Sequence, residues 1–195
     1  MAKKESTLKN MLIALMVITI VSGGVLGYIY GLTKPAIDQV EANKNIKAIN
    51  EVLKTDVAIA KTEAMVIDDL TYNLAFDADE QFIGAAVKTY SKNGFGGRIE
   101  LMVGMLANGN INKVSVLSQT ETPGLGANMV NDKFKGQFDG KNPATFRLKV
   151  KKDGGDVDAI TAATISSRAF SEAVDLAVRG FESNKDQFMK GGNNE

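Results

Sequence analysis

Residues 158–167 have the sequence Asp-Ala-Ile-Thr-Ala-Ala-Thr-Ile-Ser-Ser and open the last helical pattern of the chain. Four hydroxyl groups fall in this stretch, on Thr161, Thr164, Ser166 and Ser167. The first backbone N–H groups of a helix have no acceptor within it, so hydroxyls and N–H groups there can converge on a phosphate. Serine and threonine are also common N-caps, and a well-capped helix is the simpler interpretation from chemistry alone.

The helix that this stretch opens is predicted over residues 164–188. Its apolar residues recur at helical spacing on one side, while its charged residues lie elsewhere. The apolar stripe consists of Ala169, Phe170, Ala173, Val174, Ala177, Val178 and Phe181. We therefore expect this helix to pack on a sheet and to hold its threonine end rigidly.

The middle of the chain carries a different period, close to two, with aromatic and β-branched residues between turn formers. The predicted strands are residues 72–76, 82–90, 99–106 and 111–119, with a further strand at 146–150. Hairpin connections are expected at 77–80 and 108–110, a short helix at 127–138, and a loop or short strand at 54–65. The predicted fold class is α+β, an antiparallel sheet with packed helices.

Residues 11–32 contain no charged side chain, and a stretch of twenty-two residues is long enough to cross a membrane. A cleavable signal peptide is the alternative, because small residues at 22–24 resemble a cleavage site. The apolar run continues to Tyr30, longer than a signal core needs, which favours a retained anchor in contact with membrane lipid. Lysines in the first ten residues favour a cytoplasmic N-terminus, with the domain on the outer face of the plasma or inner membrane.

These patterns divide the chain into five segments. Pro35 is expected to end or bend the span, and a connecting helix over residues 36–53 leads into the domain. The predicted segments are a cytoplasmic N-terminus at 1–10, a transmembrane helix at 11–32, a connecting helix and linker at 33–64, a domain at 65–188 and a flexible tail at 189–195.

The composition excludes several mechanisms. The chain has neither cysteine nor histidine, which leaves no thiolate nucleophile, no Cys/His zinc site, no cysteine-ligated iron–sulfur cluster and no imidazole base. Any redox chemistry must therefore use a bound organic cofactor. The 23 basic and 23 acidic residues balance, so nothing indicates a nucleic-acid surface.

Two further motifs precede the hydroxyl-rich stretch. They are Gly94-Phe95-Gly96-Gly97-Arg98-Ile99 and Glu121-Thr122-Pro123-Gly124-Leu125-Gly126. Together with Asp158 and Thr161-Ala162-Ala163-Thr164, in this order and at similar separations, they resemble the covalent FMN-binding domain family. Within it, the length and single span are most similar to the G subunits of Rnf complexes, which are membrane-bound ferredoxin:NAD oxidoreductases. The close alternative is the C subunit of the sodium-pumping NADH:quinone reductase.

The resemblance implies a covalent flavin: FMN phosphate is expected as an ester on Thr164, the last threonine of the motif. The family usually has glycine where this chain has Ala162, which adds a Cβ. Attachment in the family is made by a separate flavin transferase, and other Rnf subunits are the implied partners. No catalytic acid, base or metal ligand is expected. The other expected cofactor-binding residues are Asp158, Thr161, Ala162, Ala163, Ile165, Ser166, Ser167, Glu121, Thr122, Gly124, Leu125, Gly126, Gly96 and Gly97.

Two alternatives belong to other functional classes. One is a non-redox binding module on a membrane stalk, with an anionic ligand held at the helix start. The other is a structural subunit that only docks to membrane partners. The first predicts a colourless protein, and the second predicts that Thr164 is dispensable.

Overall fold

The computed structural model describes residues 7–54 and 57–190. The chain divides between Asn43 and Lys44 into two compact units. Most of the predicted segment 1–10 and the end of the predicted tail 189–195 lie outside the described residues.

The first helix, α1, runs over Leu8–Val52 and contains Pro35. Proline removes one hydrogen bond from a helix, but α1 continues on both sides of Pro35. Of the two predicted outcomes, an end of the helix at Pro35 is wrong, and a bend there stays a prediction. Among the described helices, α1 is long and apolar enough to cross a membrane. The predicted span and the predicted connecting helix are therefore one element.

Five strands form one antiparallel sheet in the order β1-β2-β3-β4-β5. The four strands predicted over residues 72–119 are confirmed, and a fifth strand, β1, begins at Lys61, near the end of the segment 54–65 that the sequence predicts as a loop or short strand. The strands are β1 Lys61–Ile67, β2 Leu70–Phe76, β3 Phe82–Ser91, β4 Ile99–Leu106 and β5 Ile111–Ser118.

The turn between β1 and β2 consists of Asp68 and Asp69, which have φ angles of 49° and 63°. Two-residue hairpin turns of type I′ require positive φ at both positions, and aspartate tolerates this conformation better than most residues. The sheet thus begins with a tight hairpin that the sequence patterns do not reveal.

The last helix, α3, runs over Thr164–Lys190 and covers one face of the sheet. Its predicted apolar stripe is buried from Ala169 to Phe181, as expected. The opposite face is covered by the end of α1, where Ala48, Val52 and Leu53 pack with Ala75, Ala86, Met102 and Leu117. The second unit therefore includes residues 44–53 and the first four residues of β1, which the sequence assigns to a linker at 33–64.

Between β5 and α3 the chain is mostly irregular. The predicted helix at 127–138 is a series of short turns: a 3-10 turn at Gly126–Val130, the one-turn helix α2 at Asp132–Lys135, and a 3-10 turn at Gly136–Phe138. The strand predicted at 146–150 is wrong, because only Val150 makes a single bridge, to Val157. The free edge of β5 is already met by residues 140–141, through Gly140 N–H to Asn112 O and Ile111 N–H to Lys141 O.

Candidate functional site

The start of α3 presents backbone donors that the fold does not use. Thr164 is its first residue, and Ser167 is the first whose N–H is bonded, at 3.0 Å to Ala163 O. No hydrogen bond from the N–H groups of Thr164, Ile165 or Ser166 is found within the described part of the chain. Unbonded donors of this kind can receive an anion, so anion binding at this helix start stays a prediction that the geometry permits.

The four hydroxyls of the opening stretch separate into two pairs. Thr161 is exposed and Thr164 is half-buried, whereas Ser166 and Ser167 are buried. Ser167 Oγ accepts from Ile160 N–H at 2.9 Å and donates to Ala163 O at 2.9 Å, so it holds the turn that precedes the helix. The single donor of this hydroxyl is thus used inside the protein, and the predicted phosphate contact of Ser167 stays a prediction.

Ala162 adopts a left-handed backbone conformation, with a φ of 59°. A residue with a Cβ rarely adopts this conformation, because the Cβ crowds the following carbonyl oxygen, whereas glycine adopts it freely. The position is therefore one where glycine is favoured, which gives a backbone reason for the glycine that the family usually has there.

Glu121 joins all three motifs through its carboxylate. Oε1 accepts from Gly96 N–H at 2.9 Å, and Oε2 accepts from Ser166 Oγ at 2.6 Å. The side chain is only 5% exposed. Glu121 thus fixes the Gly94–Gly97 loop and the start of α3 relative to each other, a role that the sequence does not reveal.

The loop that follows Glu121 is compact. Thr122 O accepts from the N–H groups of Leu125 and Ala127, and Gly124 has a φ of 78°. A Cβ on Gly126 would lie 2.3 Å from Ser166 Oγ and 2.5 Å from Glu121 Oε2, so a side chain there would force Ser166 or Glu121 to move. The loop therefore lies directly against the start of α3.

A cavity of about 320 Å³, here called the Phe95 cavity, opens where these elements meet. Three exposed apolar side chains form part of its wall, and Thr164 lies on it beside the unbonded N–H groups of α3. Its lining residues are Phe95, Glu121, Thr122, Leu125, Gly126, Ala162, Ala163, Thr164, Ile165 and Ser166. Eight of the predicted cofactor residues other than Thr164 are therefore brought together around it.

A second cavity, of about 440 Å³, adjoins the first across Leu125 and Ala162 and is here called the Lys133 cavity. It is lined by Gly124, Leu125, Asn128, Asn131, Lys133, Phe134, Gln137, Asp158, Ala159, Ile160, Thr161 and Ala162. Asp158, Thr161 and Gly124, all predicted as cofactor residues, thus line this second cavity and not the one beside Thr164.

Gly96 and Gly97 line neither cavity. Gly96 is held from two sides, because its N–H donates to Glu121 and its carbonyl accepts from Thr120 Oγ1 at 2.7 Å. Gly97 has a φ of 117°, which favours glycine. These residues shape a loop that presents Phe95, and Phe95 itself, absent from the predicted residues, is the side chain of that loop at the cavity.

Gln137 holds the beginning of the hydroxyl-rich stretch. Its amide accepts from Asp158 N–H at 2.8 Å and donates to Asp158 O at 3.1 Å. The Asp158 side chain pairs with Lys151 at 2.7 Å and remains largely exposed. Sequence gives no indication of this role of Gln137, because its partner lies 21 residues later and the short helix predicted over 127–138 does not reveal the contact.

One ion pair ties the irregular segment before the site to α3. Arg168 donates two hydrogen bonds of 2.7 Å to Asp153. These bonds to the guanidinium hold the pKa of Asp153 below its ordinary value. Both side chains face solvent, so the pair orients the segment and contributes little to stability.

The FMN-binding domain family model matches residues 94–179, which include all three motifs. The G subunit of a proton-translocating ferredoxin:NAD(+) oxidoreductase complex from Clostridium ljungdahlii is 35% identical, over 81% of this chain and 83% of its own length. The G subunit of the ion-translocating oxidoreductase complex of Vibrio cholerae is 34% identical, over 87% of this chain and 88% of its own length.

The fold also occurs among solved structures. The C subunit of a Na(+)-translocating NADH-quinone reductase from Parabacteroides distasonis superposes with a TM-score of 0.56 at 20% identity. The match covers 75% of this chain and 94% of that one. At this identity the match concerns the fold alone. The family model and the two relatives show that the chain contains an FMN-binding domain and belongs to the family of the G subunits of ion-translocating oxidoreductase complexes.

Proposed function

We propose that this chain is a membrane-anchored electron-transfer subunit of an Rnf-type complex and carries one FMN, esterified through its phosphate to Thr164 Oγ1. The observation that carries the proposal is the position of Thr164, on the wall of the Phe95 cavity and at the first residue of α3. Unbonded N–H groups at that end are suited to phosphate oxygens.

Geometry favours Thr164 over Thr161 as the attachment residue. Thr161 lies on the Lys133 cavity, three residues before the helix begins, and is not adjacent to the N–H groups of Ile165 and Ser166. A phosphate on Thr164 is within reach of both groups because they follow it directly in the first turn. The ester forms between Thr164 Oγ1 and the flavin phosphorus, with loss of the threonine proton and of the flavin donor's leaving group.

The residues present fit a flavin in other respects. Phe95, Leu125 and Ile165 are 70%, 41% and 50% exposed, so three large apolar side chains stand free beside the attachment residue. Apolar surface of this kind can cover a flat aromatic ring and exclude water from it. Gly126 supports the same fit, because any side chain there would displace Ser166 from the cavity wall.

The bound flavin would supply the redox chemistry. The chain's own part is to hold the phosphate at the start of α3 and to shield the ring with Phe95, Leu125 and Ile165. Glu121 and Ser166 hold the Gly94–Gly97 loop and the start of α3 in place, so that these residues would keep their positions when a flavin is bound. No side chain needs to act as an acid or base, since the cofactor carries the electrons.

The same proposal extends to the membrane and to partners. Residues 1–10 lie in the cytoplasm, α1 crosses the membrane, and the domain faces the outside, because lysines cluster before the span. A flavin transferase and the other Rnf subunits are the expected partners. Protease added to spheroplasts should remove the domain, whereas a protected domain with a cleaved N-terminus would reverse the topology.

The experiment that tests the attachment is the mass of the purified chain, together with in-gel flavin fluorescence after denaturation. Wild type should carry one covalent FMN, and Thr164→Ala should lose all denaturation-resistant fluorescence. Thr161→Ala is the matched control, with the same change three residues earlier, and should retain it. A colourless wild-type protein would instead favour the non-redox binding module, and fluorescence in Thr164→Ala would refute the attachment site.

A further inference from the structure

A buried carboxylate without a cationic partner lies beside the Phe95 cavity. Glu121 is 5% exposed, and within the described part of the chain no lysine or arginine pairs with it. Its two hydrogen bonds come from neutral groups, Gly96 N–H and Ser166 O–H. Its negative charge is therefore not neutralised by a counter-ion.

The surrounding structure is built around this carboxylate. A Cβ on Gly94 would lie 2.6 Å from Glu121 Oε1, and a Cβ on Gly126 would lie 2.5 Å from Oε2. Two glycines thus leave the space that the side chain occupies. A glutamine of the same shape would accept from Gly96 N–H and donate to Ser166 Oγ, so these hydrogen bonds do not require a charge.

Burying an unpaired charge costs free energy. A neutral glutamine could make the same two hydrogen bonds without this cost. The charge lies on the wall of the same cavity as Thr164. In a partly buried site, charges interact much more strongly than in bulk water. A negative charge at this place opposes the arrival of electrons on any redox group held there.

We infer that the Glu121 carboxylate lowers the reduction potential of the flavin held at Thr164, and that this is why a carboxylate occupies the position. The inference rests on the proposed function, since it requires the flavin to be bound at Thr164. Glu121 acts here through its charge and through the loops it positions, and it transfers no proton or electron.

The test is a spectroelectrochemical titration of the full chain with covalent FMN, at fixed pH and ionic strength. Glu121→Gln keeps the shape and removes the charge. We expect the equilibrium to shift roughly tenfold toward reduced flavin, which is a rise of about 30 mV for a two-electron couple. Glu121→Asp keeps the charge but shortens the side chain, and should shift the potential much less.

Glu172→Gln is the matched control. Glu172 is also a carboxylate that holds the segment before Phe95, because it accepts from Ser91 Oγ at 2.8 Å and from Asn93 Nδ2 at 2.9 Å. It does not line the Phe95 cavity. We expect its replacement to leave the potential unchanged. A shift in Glu172→Gln equal to that in Glu121→Gln would overturn the inference, because loop anchoring would then explain both.

An unchanged or lowered potential in Glu121→Gln would also overturn it, as would an equal rise in Glu121→Asp. So would a folded Glu121→Gln that acquires no covalent flavin, since the carboxylate would then serve attachment.

If Glu121→Gln does not fold, Ser166→Ala provides the test instead. This variant removes a hydrogen-bond donor from the Glu121 carboxylate, so we expect the reduction potential of the flavin to fall, and an unchanged or raised potential would overturn the inference. Absence of flavin from the wild-type protein would refute the proposed function. If flavin is bound and its reduction potential is equal in wild type and Glu121→Gln, only this inference is refuted.

Discussion

Two buried serines on α3 differ in how their hydroxyls are used. Ser167 Oγ makes hydrogen bonds with Ile160 N–H and Ala163 O, whereas Ser171 Oγ has no hydrogen-bond partner among the described residues. An unsatisfied buried hydroxyl carries a desolvation cost, and alanine also has the higher helix propensity.

We predict opposite effects when each serine is changed to alanine. Ser171→Ala should raise the free energy of unfolding by roughly 0.5–1 kcal/mol. Ser167→Ala should lower it by about 1–3 kcal/mol, because Ile160 N–H then loses its acceptor. Urea denaturation followed by circular dichroism measures both changes. Equal effects in the two variants would mean that the hydrogen bonds of Ser167 contribute no net stability.

Ala162 is the residue of the site whose backbone is least suited to its side chain, with a φ of 59°. Ala162→Gly should raise the free energy of unfolding by roughly 0.5–1 kcal/mol. The change relieves crowding in the folded state, and this gain outweighs the free-energy cost of the greater conformational entropy of the unfolded chain. Ala163→Gly is the control one residue later, where φ is not positive and the side chain is buried. It should destabilise by about 1 kcal/mol. A destabilised Ala162→Gly would contradict this account.

Sequence could indicate many of the residues that line the candidate site, but not how they contact one another. Thr164, Glu121 and the glycines are found from the three motifs, whereas the link from Glu121 to Gly96 and Ser166 joins positions 25 and 45 residues away. Gln137 and Phe95 were missed for the same reason. Their roles arise from where the folded chain brings them, which no local pattern contains.

At the scale of elements, the sheet and the end of α1 meet at Gly104. A Cβ there would lie 2.1 Å from Val52 O, so the helix end rests directly on the backbone of β4. Gly104→Ala should therefore push the helix end away and lower the free energy of unfolding by about 1–3 kcal/mol.

Gly136→Ala is the control for this change. Gly136 has a φ of −65°, and a Cβ would meet only Asp139 Oδ2, at 3.9 Å. Alanine there should raise the free energy of unfolding by about 0.4–1 kcal/mol, because it reduces the conformational entropy of the unfolded chain. Thermal unfolding of the two variants compares them directly. A neutral Gly104→Ala would show that α1 can shift on the sheet without loss.

The elements differ in how well their patterns predict them. Strands β2 to β5 are correctly predicted because their side chains alternate between two covered faces and turn residues separate them. The prediction of a strand at 146–150 was wrong. Leu148 and Val150 are buried, but alternate residues can be buried in an irregular segment as well as in a strand, so the apolar spacing does not distinguish the two. The full length of α1 was not predicted. Proline was expected to end or bend the span at Pro35, whereas the helix continues past this residue.

At the scale of the whole molecule, the boundary of the second unit decides which part of the chain can fold alone. Residues 44–53 bury Ala48, Val52 and Leu53 in a core that also contains Ala75, Ala86 and Met102. Further contacts hold the same segment, since Asn112 Nδ2 donates to Val52 O at 2.7 Å and Ser115 Oγ donates to Glu51 at 2.9 Å.

We therefore predict that a chain beginning at Lys44 folds without α1 residues 8–43, whereas a chain beginning at Lys54 does not fold stably. Full burial of a valine or leucine side chain contributes about 1.5–3 kcal/mol, so loss of Val52 and Leu53 alone removes about 3–6 kcal/mol. That is a large part of the 5–15 kcal/mol typical of a domain. Urea denaturation of both chains measures the difference. Equal stabilities would contradict the boundary at Lys44 and favour the linker at 33–64 that the sequence indicates.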